Sequence, residues 1–189
     1  WFSPTLTDDV PLYRHIIKRF PKARSTQSYV KQTFRLTNSS NSFIKMKLNA
    51  KELRTTLVDS EMAKAIKKNP VTIILDNVLD TYNVGSMFRL ADALAAEKVI
   101  LCGQTLTPPN SRIKKASINT WQWVDWEYIE STLDAVNKLK SENVTIVAVE
   151  QDARSKPFYK VTYEFPLAIV VGNETSGVSK NVLDLADMI

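Results

Sequence analysis

Four short apolar runs, VTIIL (71–75), KVILC (98–102), VTIVAV (144–149) and LAIVV (167–171), constrain the fold more than any other feature of the chain. Their hydrophobicity is continuous rather than alternating, which marks strands buried on both faces. Between them lie segments of helical length and period, NVGSMFRLADALAA (83–96) and STLDAVNKLKSE (131–142). Interleaved strands and helices of this kind imply an α/β fold, a parallel sheet with helices on both faces. Ligands of such sheets bind beyond the carboxyl ends of the strands. Two polar stretches sit at such ends, DNVLDTYNVG after the first run and VVGNETSG after the last.

A compact unit is expected over residues 46–189. It opens with MKLNAKELRTTLVDSEMAKAIKKNP, in which Asn49 and Glu52 have the spacing of a capping box. Leu53, Leu57, Met62 and Ile66 mark one helical face, and Pro70 is expected to close that helix. Residues 1–45 are rich in Ser and Thr, show no sustained apolar period, and read as a weakly structured basic arm. Charge follows the same division: residues 1–70 hold 14 Lys and Arg against 5 Asp and Glu, and residues 71–189 hold 11 against 15, for a net +5. A basic arm ahead of a mildly acidic body suits an anionic polymer, since each neutralised phosphate releases counterions. A solvated basic tail would have the same composition.

No apolar run approaches the roughly 18 residues of a spanning helix, and the N-terminal stretch lacks the apolar core of a signal peptide. A cytoplasmic protein with no membrane partner is expected. The single cysteine, Cys102, and the single histidine, His15, leave no Cys/His zinc site and no internal disulfide, so no metal is expected.

Of only four glycines, two, Gly172 and Gly177, fall within VVGNETSGVS (170–179). Glycines kept in a glycine-poor chain mark places where a side chain is not tolerated. The spacing imitates the phosphate loop G-x-x-x-x-G-K-[ST], yet Val178 stands where the lysine must be, and Glu174 would repel phosphates. No G-x-G-x-x-G occurs anywhere. Both facts weigh against a nucleotide-hydrolysing or nucleotide-binding α/β protein. A carboxylate on a glycine-flanked turn fits a ligand with positive charge or hydroxyls, such as S-adenosylmethionine.

IVVGNETSGVS (169–179) resembles the second motif of the SpoU/TrmH-type RNA 2′-O-ribose methyltransferases of the knotted SPOUT superfamily. LDNVLDTYNVGSMFRLADAL (75–94) resembles their first motif, with Asn77, Asp80, Asn83, Gly85 and Arg89 at the family's positions. The resemblance covers residues 46–189. It implies the SPOUT (α/β knot) fold, S-adenosylmethionine as methyl donor, tRNA or rRNA as partner, and a homodimer whose subunits complete each other's sites. It also implies that Val149, Glu150, Gly172, Asn173 and Gly177 bind the donor and that Arg89 addresses the ribose and its phosphate. Thr81 departs from a frequent proline, and Ala95 and Asn119 from frequent glycines. VLDLADMI stops just before the expected third motif, so a fragment truncated before the knotting segment is expected. The alternative is a non-catalytic RNA-binding protein that has lost its donor pocket.

Taken as chemistry, Asn83 can cap the helix that follows, and Gly85 offers close backbone approach to an RNA strand. Arg89 shares the helical face of Gly85, and a plain (i, i+3) pair with Asp92 is its structural alternative. A guanidinium stays protonated, so Arg89 suits stabilisation of a developing alkoxide rather than proton abstraction. Glu174 is expected to orient Arg89 or the ribose. Arg112, Lys114 and Lys115, read as a polar loop, are expected RNA contacts. In WQWVDWEY (121–128), Trp121 and Trp123 would share a face on a strand, and packing is favoured over base stacking.

Overall fold

Residues 65–189 are the ones described in a computed structural model of the chain. The arm at 1–45, the Asn49/Glu52 capping box and the face of Leu53, Leu57 and Met62 lie outside the described residues. In chain order the elements are β1 (Asn69–Asp76), α1 (Thr81–Leu94), β2 (Ala96–Cys102), α2 (Ser111–Ser117), β3 (Trp126–Ile129), α3 (Thr132–Ser141), β4 (Thr145–Val149), β5 (Leu167–Val171) and α4 (Lys180–Leu185).

The five strands form one sheet in the order β3-β2-β1-β5-β4, with every pairing parallel. Val71, Ile73 and Leu75 of the central strand pack with Val99 and Leu101 against Val84, Phe88 and Ala91 of α1 and Ile113 of α2. Ile74, Ile100, Ile146, Ala148 and Val170 point the other way, against Ala135, Val136 and Leu139 of α3 and Val182 of α4. Both faces are therefore covered, as the continuous apolar runs require. Phe88 is fully buried and contributes about 1.5–3 kcal/mol by its transfer from water.

Pro70 does not close a helix but lies inside β1, whose register against β2 shifts between Asn69 and Thr72, where proline has no N–H to offer. The helix cap is Asp80, which accepts from the Tyr82 amide, so α1 begins before Asn83 and Asn83 is not its cap. Thr81 takes the first helical position, where proline is also well suited. Gly85 faces α2: a Cβ there would lie 2.5 Å from Ala116 Cβ, so its missing side chain serves helix packing rather than RNA approach. Ala95 ends α1 at φ 47°, and Asn119 has φ 67°. Both are left-handed, which is why glycine would be at home in either place.

Arg112, Lys114 and Lys115 lie on the helix α2, not on a loop, and Asn110 caps it by accepting from the Arg112 and Ile113 amides. Trp121 and Trp123 share no strand. Trp121 lies in a 3-10 turn over Thr120–Gln122, Trp123 follows that turn, and the strand β3 starts at Trp126. All three tryptophans pack against the first core, and Trp123 Nε1 donates to Asp92 at 2.9 Å. Packing was thus the right reading, although β3 itself was not anticipated. Among the described residues no helix is long and apolar enough to cross a membrane.

Candidate active site

β1 leads to α1 on one face of the sheet, while the neighbouring strand β5 leads to α4 on the other. The connections diverge there, which makes the carboxyl ends of β1 and β5 the topological switch point where such folds bind ligands. Both polar stretches from the sequence meet at this place and bond to each other. Asn173 Nδ2 donates to the Asn77 carbonyl at 2.8 Å. Glu174 accepts from the Leu79 amide at 3.1 Å, the Asp80 amide at 3.0 Å and Asn83 Nδ2 at 2.9 Å. A carboxylate before the first turn of α1 also meets the positive end of the helix. Partial burial would raise the Glu174 pKa, but donation from Asn83, from its own amide and from Leu79 and Asp80 holds it below the ordinary glutamate range.

The loop itself is closed by paired backbone bonds between Asn173 and Gly177, both 3.0 Å, and Asn173 Oδ1 accepts from the Thr175 and Ser176 amides. A Cβ on Gly172 would lie 2.2 Å from Val178 N, so the loop's own backbone already requires glycine there. Gly177 has φ +70°, and a Cβ there would strike the Glu150 carboxylate. Glu150 accepts from the Val178 amide at 2.8 Å and the Gln151 amide at 2.8 Å, so its carboxylate braces the loop.

Sequence reasoning did not single out Asp76. It ends β1, is 1% exposed, and accepts from Thr132 Oγ1 at 2.6 Å, Asn77 Nδ2 at 2.8 Å, the Ser179 amide at 2.8 Å and the Ser179 hydroxyl. It joins the starts of α3 and α4 to the end of the central strand. A lone acid terminating an apolar run at the switch point was the available signal.

Val149 and Glu150 line a cleft of about 240 Å³ at the end of β4, with Pro157, Phe158, Val161 and Met188 among its other walls. Gly172, Asn173 and Gly177 are not on its walls. Met188 bridges to Val147 in parallel, and the Ala148 amide donates to the Met188 carbonyl, so the last residues lie along the outer edge of β4. Arg154 forks onto both Asp152 oxygens and reaches Asp184 at 3.2 Å, tying the cleft's lip to α4. Hydrogen bonds from the Arg154 side chain and backbone bring the Asp152 pKa down to about 2.

Arg89 is exposed and makes no hydrogen bond or ion pair with another described residue; the pair with Asp92 does not form. It lies about 9 Å along the axis of α1 from Asn83 and about 120° round it. Arg112, Lys114 and Lys115 are exposed on α2. Cys102 is buried, and burial pushes its thiol up to about 12, which excludes it as a nucleophile at neutral pH.

Residues 70–189 match the SpoU rRNA Methylase family. A 23S rRNA (guanosine-2′-O-)-methyltransferase of Ralstonia nicotianae is 24% identical over 74% of this chain and 56% of its own length. The tRNA (guanosine(18)-2′-O)-methyltransferase of Escherichia coli K12 is 27% identical over 65% of this chain and 53% of its own. The chain spans about half the length of the curated relatives it matches. Among solved structures, the A. aeolicus TrmH/SpoU tRNA modifying enzyme superposes with a TM-score of 0.57 at 26% identity, covering 74% of this chain and 66% of that one. An AdoMet-bound rRNA methyltransferase from Sinorhizobium meliloti gives 0.59 at 25% identity, covering 65% and 46%.

Proposed function

Because the chain belongs to the SpoU rRNA Methylase family, matched from residue 70 to residue 189, we propose that it methylates a ribose 2′-hydroxyl in tRNA or rRNA with S-adenosylmethionine as donor. The observation that carries this reading is the bonding of the two motif loops to each other at the switch point through Glu174 and Asn173. The cleft at Val149 and Glu150 has apolar walls that fit an aromatic base, and its modest volume suits part of the donor rather than all of it. Gly172, Asn173 and Gly177 form the rigid turn beside it. When bound, the donor supplies an electrophilic methyl group carried on a sulfonium.

Arg89 anchors the substrate phosphate and stabilises negative charge as it develops on the 2′-oxygen. It cannot accept the proton, because a guanidinium stays charged; as the oxygen takes the methyl, the hydroxyl proton passes to water and S-adenosylhomocysteine leaves. Glu174 acts on it indirectly, by fixing the start of α1 together with Asn83. The separation of Arg89 from Glu174 along and around α1 fits a homodimer in which Arg89 serves the partner's site, and exposed Tyr82 (48%) and Leu90 (44%) on α1 suit such a contact. Arg112, Lys114 and Lys115 add phosphate contacts, as does the basic arm at 1–45 ahead of the domain at 46–189. We place this reaction in the cytoplasm, with its RNA.

The test is transfer of labelled methyl from S-adenosylmethionine into tRNA and rRNA transcripts. Arg89→Ala should lower kcat by about 10²-fold or more, with Arg89→Lys recovering little of it. Near-full turnover by Arg89→Lys at saturating RNA would refute the two-pronged contact assigned to Arg89.

A further inference from the structure

Beside the cleft, the segment KPFYK (156–160) turns two aromatic side chains outward. Phe158 is 49% exposed and Tyr159 60%, with rings edge to face at 5.6 Å. Exposed aromatics of this size on a surface turn leave apolar ring surface open to solvent. The turn is held in place: Tyr163 Oη donates to the Phe158 carbonyl, the Lys160 amide to the Pro157 carbonyl, and the Lys156 amide to the Ile189 carbonyl. Tyr159 is therefore presented by a fixed backbone and is not part of the cleft wall, which Phe158 joins.

The charges around it are unequal. Asp152 is taken up by Arg154, and Glu150 by the amides of Gln151 and Val178. Lys156 and Lys160 form no ion pair among the described residues, and Lys160 Nζ sits 5.9 Å from the centre of the Tyr159 ring. The segment itself holds no acidic residue, and the next opposing charge along the chain is the exposed Glu164. An apolar ring with one cation over it and a second three residues back in the same segment, neither in an ion pair among the described residues, matches an unpaired nucleobase and its flanking phosphates, since every base has a stackable face and every linkage a negative charge.

We propose that Tyr159, flanked by Lys156 and Lys160, is a stacking platform for an unpaired base of the RNA substrate next to the cleft; this rests on the RNA-methylation reading above. The probe is a fluorescein-labelled single-stranded oligoribonucleotide of about 12 nucleotides, titrated into the 189-residue chain, with a duplex of equal length beside it. Tyr159→Ala should weaken single-strand binding about tenfold and leave duplex binding unchanged, while Tyr159→Phe stays within about twofold. Lys156→Gln with Lys160→Gln should reduce the slope of log K against log salt by about 1.4. Unchanged single-strand binding by Tyr159→Ala overturns the platform, as does equal weakening of duplex binding. Loss of a dimer by Tyr159→Ala in sedimentation velocity overturns it too, by making the patch a subunit contact. Failure of the unsubstituted chain to bind either RNA overturns the substrate reading as well, which separates the two failures.

Discussion

Replacing Asp76 by asparagine tests whether one buried carboxylate holds the switch point together. Its two oxygens accept from Thr132, Asn77 and both donors of Ser179. An amide keeps one oxygen and turns the other into a donor. If the oxygen stays with Thr132 and Asn77, the new NH2 confronts the Ser179 amide, the Ser179 hydroxyl can only accept from it, and two charge-assisted bonds are lost. At about 1.5–3 kcal/mol each, taken at the low end because Ser179 is only half-buried, the loss is about 3 kcal/mol. That is a large part of the ~5–15 kcal/mol available to a domain. With an m-value near 2 kcal/mol/M, the urea midpoint followed by tryptophan fluorescence should fall by about 1.5 M. Ser179→Ala, which keeps the amide donor, should cost about 1 kcal/mol. A midpoint for Asp76→Asn within about 0.2 M of the parent would refute the reasoning.

Ala95→Gly should stabilise the protein by about 0.5–1 kcal/mol, because the left-handed backbone at φ 47° strains alanine by more than glycine gains in the unfolded chain. Thermal unfolding should show a Tm higher by about 2–4 °C, and a lower Tm would contradict it. Glu174 has a depressed folded pKa, so its contribution is present above its unfolded value of 4.5 and is lost as pH falls through the folded pKa. Glu174→Gln should therefore flatten the acid side of the stability profile below the ordinary glutamate value of 4.5, measured by urea titrations at each pH. Parallel profiles for the two proteins would show that the carboxylate contributes nothing there.

The strands β1, β2, β4 and β5 were legible because each is an apolar run buried on both faces. β3 was not: Trp126, Glu127 and Ile129 are half-buried and Tyr128 exposed at the sheet's edge, so its pattern carries no clear period. α2 was hidden for a similar reason, since of its seven residues only Ile113 and Ser117 are buried. Glycine scarcity marked crowded places without saying what crowds them: at Gly85 and Gly172 a close neighbour is the chain's own backbone or side chain. Asn83 and Asp80 are both competent caps, and only the hydrogen bond to Tyr82 decides between them. The position of Asp76 at the end of an apolar run was visible, but its partners were not, because Thr132 lies 56 residues away and Ser179 lies 103 away.

The grip of Glu174 on Leu79, Asp80 and Asn83 joins segments more than 90 residues apart in the chain. The turn after the last strand and the first coil of the first helix are thereby yoked into one mechanical body. A molecule that shifts either one must strain or break those bonds, and any resulting coupling between occupants of the two sides would be reciprocal. Occupants on the two sides of that yoke would sense each other without touching.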